Sequence, residues 1–140
     1  MWALADRETA SHMAALHHEA VAKTMERFED IGLYTRRGVN GIEQVKTRGA
    51  IAAEFTHFDT RGGDPDLHSH VTVANKVQDA DGNWLTVDSQ MVHHMNQPLS
   101  AYYDATLQDL MTRHMGVDFE ARTTDSVSYT HLTLPTKRIV

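Results

Sequence analysis

The most informative absence from this sequence is cysteine. Without it the chain forms neither disulfides nor thiolate metal sites, so a metal would have to bind imidazole or oxygen ligands. No segment is long and apolar enough to span a membrane, and the acidic N-terminus does not have the pattern of a signal peptide. At 140 residues, the chain is expected to fold as one globular domain.

Positive charge is also scarce. The formal net charge of −6 argues against a strongly basic nucleic-acid-binding protein. The distribution is uneven, because residues 33–78 carry six basic and five acidic side chains, whereas residues 79–125 carry two basic and eight acidic ones. The region 33–78 contains the histidine cluster described below. Its small positive surplus is consistent with a phosphate-binding patch and at least equally with an ordinary solvated surface.

Hydrophobic periodicity predicts two long helices. Apolar residues recur at three- and four-residue intervals over residues 8–31, where Asp6 can cap the start and Gly32 the end. A second helix is predicted over residues 98–115, because Pro98 suits a first helical turn.

Short strands are predicted in the rest of the chain. They cover residues 33–36, 42–46, 49–58, 68–78, 83–87 and 117–120. Residues 79–82 form a hairpin turn between two of them. Short turns between neighbouring strands favour an antiparallel β-sheet with helices packed against it, so the predicted fold class is α+β.

Three histidines give the strongest functional signal. His57 lies near the end of one predicted strand, and His68 and His70 begin the next. Alternate residues of a strand face the same way, so His68 and His70 point together, and His57 can join them if the strands pair. Three neutral imidazoles would hold a divalent metal and leave coordination positions open for a substrate oxygen.

Other side chains are interpreted more modestly. Three aspartates near the motif, Asp59, Asp64 and Asp66, are placed to orient the imidazole rings. The histidines of the first helix, His12, His17 and His18, are interpreted as a polar boundary face. Two adjacent tyrosines of the second helix, Tyr102 and Tyr103, are interpreted as core residues rather than nucleophiles. The alternative interpretation of the three motif histidines is that they have a purely structural role.

The run His57-Phe58-Asp59-Thr60-Arg61-Gly62-Gly63-Asp64-Pro65-Asp66-Leu67-His68-Ser69-His70 resembles the three-histidine motif of the TrwC/TraI-type conjugative relaxases, which belong to the HUH endonucleases. The family's pattern is a histidine, then Thr/Ser-Arg, then Asp-Pro-x-Leu-His-Thr-His. Asn75 stands where the family's next strand ends, and residues 81–84 match the hairpin that follows. The resemblance covers residues 2–122.

This resemblance implies a relaxase, an enzyme that nicks one DNA strand at a plasmid transfer origin through a tyrosine that attacks the scissile phosphate. It implies an HUH-type palm and a single-stranded DNA partner, with relaxosome and coupling proteins around the intact protein. His57, His68 and His70 would bind a divalent cation, either magnesium, manganese or zinc. Arg61 would contact the DNA backbone unless it pairs with an aspartate of the motif. We expect a monomeric, cytoplasmic bacterial protein.

The resemblance also implies that essential parts lie outside this sequence. The family's nucleophilic tyrosines, and an aspartate that assists them, lie upstream of the matched segment, so no residue here is assigned a catalytic role. We expect residues 1–125 to form an incomplete relaxase domain that does not nick DNA alone. Residues 126–140 resemble a translated sequencing adaptor, and we interpret them as a non-native tail rather than a threonine-rich strand.

Three rival functions fit parts of the pattern. His57 and Asp59 form a His-x-Asp pair like that of non-haem iron oxygenases, which also need a distal histidine. A non-catalytic module for single-stranded DNA would need exposed aromatics beside a basic groove, whereas this chain is acidic with 7% aromatic residues. A metal-binding remnant without enzymatic activity is the third alternative.

Overall fold

The fold combines long helices with antiparallel strand pairs. The computed structural model describes residues 2–119 and the backbone of Leu132–Thr133. In this part of the chain, two long helices accompany four antiparallel strand pairs, which confirms the predicted α+β class. Neither of the two helices has a stretch apolar enough to cross a bilayer.

Helix α1 spans Arg7–Ile31, close to the predicted bounds. It begins where expected, because the Asp6 carboxylate accepts hydrogen bonds from the backbone N–H and the hydroxyl of Thr9 at 2.9 and 2.7 Å. It ends at Gly32, whose N–H donates to the Phe28 carbonyl. The periodic apolar residues lie on the buried face, as the pattern predicted.

Helix α2 spans Ser89–Met115, so its predicted start at Pro98 is wrong. Asp88 is the true N-cap, since its side chain accepts from the backbone N–H groups of Gln90 and Met91. Pro98 lies inside the helix, although proline is better tolerated in a first turn. The predicted end is confirmed: Gly116 adopts the left-handed conformation with φ 64°.

The strands form four separate two-stranded pairings. β1 (Tyr34–Arg37) pairs with β2 (Glu43–Lys46), β3 (Ala52–Asp59) with β4 (Pro65–Val73), β5 (Val77–Gln78) with β6 (Trp84–Leu85), and β7 (Asp118–Phe119) with β8 (Leu132–Thr133). The strand predicted over residues 68–78 is therefore split in two. The break falls at residues 74–76. The buried Asp79 carboxylate accepts from the backbone N–H groups of Asp81 and Asn83 and so holds the turn that connects β5 to β6.

Two hydrophobic clusters hold the elements together. The first joins α1 to α2 and consists of Met13, Leu16, Ala20, Leu110, Met111 and Val117. The second consists of Phe28, Leu33 and Val77, with half-buried neighbours from α2 and β4. The hairpin β3–β4 lies beside this helical core.

The C-terminal segment lies mostly outside the described residues. Only the backbone of Leu132–Thr133 is described there, and it pairs antiparallel with Asp118–Phe119. The interpretation of residues 126–140 as an adaptor-derived tail stays a prediction.

Candidate metal centre

The hairpin β3–β4 brings the three motif histidines together. Its register sets His57 opposite His68 and Phe55 opposite His70, so all three imidazoles share one face. One ligand atom from each ring lies within 4.8 Å of the other two. The ring centroids are 4.8 to 5.3 Å apart. The grouping that the sequence spacing predicted is therefore present.

The three imidazole rings differ in their exposure and in their hydrogen bonds. His57 and His70 are exposed, and within the described residues neither ring makes a hydrogen bond. His68 is half-buried, and its Nδ1 lies 3.1 Å from the Asp66 carbonyl oxygen and 3.5 Å from the Asp66 carboxylate. Because a carbonyl only accepts, Nδ1 of His68 donates, which leaves the Nε2 lone pair of the neutral ring free.

Only one of the three predicted orienting aspartates has this role. Asp66 contacts His68, whereas Asp64 joins the loop through its backbone, with its N–H donating to Thr60 Oγ1 and its carbonyl accepting from the Thr60 N–H. Among the described residues, the Asp59 and Asp64 carboxylates form no hydrogen bond or ion pair with the rings. The three-ligand group also excludes Asp59, so the geometry does not favour the His-x-Asp arrangement of an iron oxygenase.

A β-bulge separates the histidines from the loop that joins the strands. His57 pairs with His68, but Asp59 pairs with Pro65, so two residues of β4 oppose the single residue Phe58. The Phe58 ring stacks on Trp2 with centroids 5.5 Å apart. The bulge thus lies between the histidine-bearing part of the hairpin and its connecting loop.

Arg61, the predicted DNA contact, lies exposed in that loop. The sequence left open whether it pairs with Asp59 or Asp64. In the described part of the chain, it forms no salt bridge with either carboxylate, so its guanidinium is available to an external anion.

The opposite face of the hairpin carries a group of polar residues that the sequence did not predict. His17 of α1 is 5% exposed, and its ring nitrogens lie 2.7 Å from the Tyr103 hydroxyl and 2.8 Å from Ser69 Oγ. Ser69 Oγ also lies 2.7 Å from Glu54 Oε1. His17 was interpreted as a polar boundary residue, but its ring is buried, with Tyr103 of α2 on one side and Ser69 of β4 on the other.

Burial and neighbours set the charge states of this group. Burial, helped by the nearby His18, lowers the pKa of His17, which favours a neutral ring. Burial raises the pKa of Tyr103 to about 12, so the phenol keeps its proton. Burial would raise the pKa of Glu54, but hydrogen bonds from Ser69 and His18 outweigh it and leave that pKa below its ordinary value.

Comparison with known proteins points to one group of relatives. The chain is 38% identical over 77 residues to the multifunctional conjugation protein TraI of Escherichia coli, a match that covers 54% of this chain and 4% of that protein. It resembles a metal-bound structure of the conjugative relaxase TrwC in complex with OriT DNA, with a TM-score of 0.71 and 25% identity over 79% of this chain and 38% of that one.

A second solved structure gives the same result. TrwC complexed with a 27-mer DNA that comprises the recognition hairpin and the cleavage site matches with a TM-score of 0.71 and 25% identity. That match covers 79% of this chain and 39% of the other. The chain thus spans well under half the length of these relatives. The TrwC relaxase family model matches residues 1–133, and the chain belongs to that family.

Proposed function

We propose that this chain supplies the metal-binding part of a relaxase active site, for nicking single-stranded DNA at a plasmid transfer origin. The observation that carries this proposal is the convergence of three imidazole nitrogens within 4.8 Å on one exposed face. Family membership and the DNA complexes of the solved relatives support a DNA partner.

The donor set fits a divalent first-row metal. Imidazole nitrogen suits zinc and related ions, whereas magnesium prefers oxygen ligands and keeps its water shell. Of the three metals considered from the sequence, the ligand chemistry therefore favours zinc, then manganese. A bound cation would supply Lewis-acid polarisation of a phosphate oxygen.

The chain's own residues would bind and orient the DNA. The Asp66 carbonyl accepts from Nδ1 of His68 and so fixes the tautomer of that ring. The Nε2 lone pair of His68 therefore remains available to bind a metal ion. Arg61 lies exposed in the loop that joins the two histidine-bearing strands, where its positive charge would attract a backbone phosphate. These contacts position a phosphodiester but do not by themselves break it.

The nucleophile is proposed to come from sequence outside this chain. Tyr103 is an unsuitable nucleophile for two reasons. Its hydroxyl is hydrogen-bonded to His17 on the face of the hairpin opposite the three histidines, and its pKa is raised to about 12. Tyr102, also on α2, is 38% exposed, so its interpretation as a core residue is wrong. We infer that the chain alone binds metal and DNA without nicking.

Calorimetric titration tests the proposal. Zinc and manganese are titrated into the 140-residue chain and into the variants His57→Ala and His70→Ala, with His94→Ala on α2 as the matched control. We expect saturable binding at one site by the wild type and the control, and at least tenfold weaker binding by the two motif variants, because each loses one of three ligands. Equal heats for all four proteins would overturn the proposal.

A further inference from the structure

A continuous chain of hydrogen bonds runs behind the three-histidine site. Tyr103 OH lies 2.7 Å from His17 Nδ1, and His17 Nε2 lies 2.8 Å from Ser69 Oγ. Ser69 Oγ lies 2.7 Å from Glu54 Oε1, which is also 2.8 Å from His18 Nδ1. We call Tyr103, His17, Ser69 and Glu54 the relay. Its members come from α2, α1, β4 and β3, so it connects four elements.

The hydrogens of the relay can be assigned in one direction only. Glu54 is ionised and can only accept, so the single hydroxyl proton of Ser69 donates to it. Ser69 Oγ must then accept from His17, which places the proton on Nε2. The neutral ring therefore accepts from the Tyr103 hydroxyl at Nδ1. Every group in the relay is satisfied, and the described residues contain no buried polar side-chain atom without a partner.

Ser69 ties the relay to the metal-ligand candidates. It lies between His68 and His70 on β4, and because successive side chains alternate, its hydroxyl points to the face opposite the rings. Holding Ser69 against α1 and β3 therefore fixes the stretch of backbone from which both rings project. The front face has few fixing contacts of its own, since of the three rings only His68 has a hydrogen-bond partner among the described residues.

We propose that His17 is a positioning residue for the three-histidine site, acting through Ser69 from the other side of the sheet. This inference rests on the proposed metal-binding function. His17 touches neither the metal position nor any of the three rings by hydrogen bond. It sets the position of β4 relative to both helices, and through it the spacing of the ligand atoms.

Matched substitutions separate this role from a general loss of folding. His17→Leu keeps a buried side chain of similar size and removes both hydrogen bonds of the ring, while His12→Leu makes the same change at an exposed position of the same helix. Ser69→Ala removes the central hydroxyl, and Ser69→Thr keeps it on a residue that suits a strand. Circular dichroism confirms that each variant is folded before zinc is titrated.

We expect His17→Leu and Ser69→Ala to weaken zinc binding roughly tenfold, the lower end of the range for groups that orient metal ligands. Ser69→Thr and His12→Leu should bind zinc as the wild type does. If folded His17→Leu and Ser69→Ala bind zinc as tightly as the wild type, the positioning role is wrong, whereas the metal site stands.

Nitrogen-15 spectra of the histidine rings test the relay without metal. The assigned direction predicts that His17 is neutral with its proton on Nε2. An Nδ1–H tautomer, or a protonated ring at neutral pH, would overturn the relay. Absence of zinc binding by the wild type would overturn both the proposed function and the positioning role, and the tautomer would still report whether the hydrogen bonds exist.

Discussion

The helix pair α1–α2 and the hairpin β3–β4 are organised in opposite ways. The helices bury their apolar side chains, with Ala20 and Leu110 at 0% and 2% exposure. The hairpin exposes Phe55 at 54% and Phe58 at 52%, although it is the longest strand pair in the described part of the chain. A two-stranded hairpin is at best marginally stable in water. The helices therefore supply the stability, and the hairpin supplies the candidate chemistry.

The contrast continues within the hairpin itself. Its back face is hydrogen-bonded to α1 through Ser69 and Glu54, whereas its front face carries the exposed rings of His57 and His70. A polar group whose hydrogen-bond partners are already in place has little capacity to bind a metal ion. Imidazoles that lack partners retain that capacity.

Removing packing from the helix pair should have the largest effect. Leu110→Ala deletes a buried side chain from the α1–α2 cluster and should lower the free energy of unfolding by about 2–5 kcal/mol. Leu4→Ala makes the same change at a position that is 92% exposed and should alter stability by less than about 0.5 kcal/mol. Urea denaturation of both variants measures the difference. Equal losses would contradict the assignment of stability to the helices.

The junction between α2 and the first strand pair should give an intermediate effect. The Asp88 carboxylate caps α2 and accepts from Arg36 Nε at 2.8 Å and from Gln44 Nε2 at 3.1 Å. Asp88→Ala should cost about 1–2 kcal/mol, the upper part of the range for a lost N-cap, because two further hydrogen bonds are lost with it. Asp88→Asn, which can still cap the helix, should cost less.

The same residue gives a pH dependence of defined sign. Burial would raise the pKa of Asp88, but hydrogen bonds from Arg36, Met91 and Gln44 outweigh it and hold that pKa below the ordinary 3.8. A carboxyl with a lowered folded-state pKa stabilises the protein above its unfolded pKa, and this contribution is lost as the pH falls through the folded value. The stability gap between wild type and Asp88→Asn should stay constant from pH 7 to about 5 and shrink below about 4. A gap that widens in acid would contradict this assignment.

The smallest change in stability should come from the hairpin loop. Arg61→Gln removes an exposed charge that forms no salt bridge within the described residues, so the free energy of unfolding should change by less than about 0.5 kcal/mol. Binding to single-stranded DNA, followed by fluorescence anisotropy across a salt series, should nevertheless weaken, and its salt slope should fall by about one. Arg27→Gln, an exposed arginine of α1, is the control and should leave the slope unchanged.

Much of the helical structure could be predicted because its signals are local. Asp6 and Gly32 mark the ends of α1, and both act as the sequence indicated. The start of α2 was missed because Pro98 was taken as a first-turn residue, while the effective cap, Asp88, follows a predicted strand directly. Asp88 is held by partners on β1 and β2 that are more than 40 residues away, and no local pattern reveals them.

The candidate site likewise combines a feature that the sequence predicted with one that it did not. The grouping of His57, His68 and His70 follows from strand alternation and one short connection, so sequence spacing predicted it. The buried role of His17 depends on Ser69 and Tyr103, which lie 52 and 86 residues further along the chain. Whether a helical histidine meets such partners is decided by tertiary packing, and its own neighbours in sequence give no signal of it.

The β-bulge opposite Phe58 has a consequence for how this hairpin tolerates change. The two strands already differ there by one residue, at a point between the paired histidines and the connecting residues 60–64. Insertions or deletions in that connection would thus be absorbed at the defect instead of propagating into the ladder, where a slip of one position would turn every imidazole to the wrong side. The connection can therefore change in length and composition without altering how the three imidazoles are arranged.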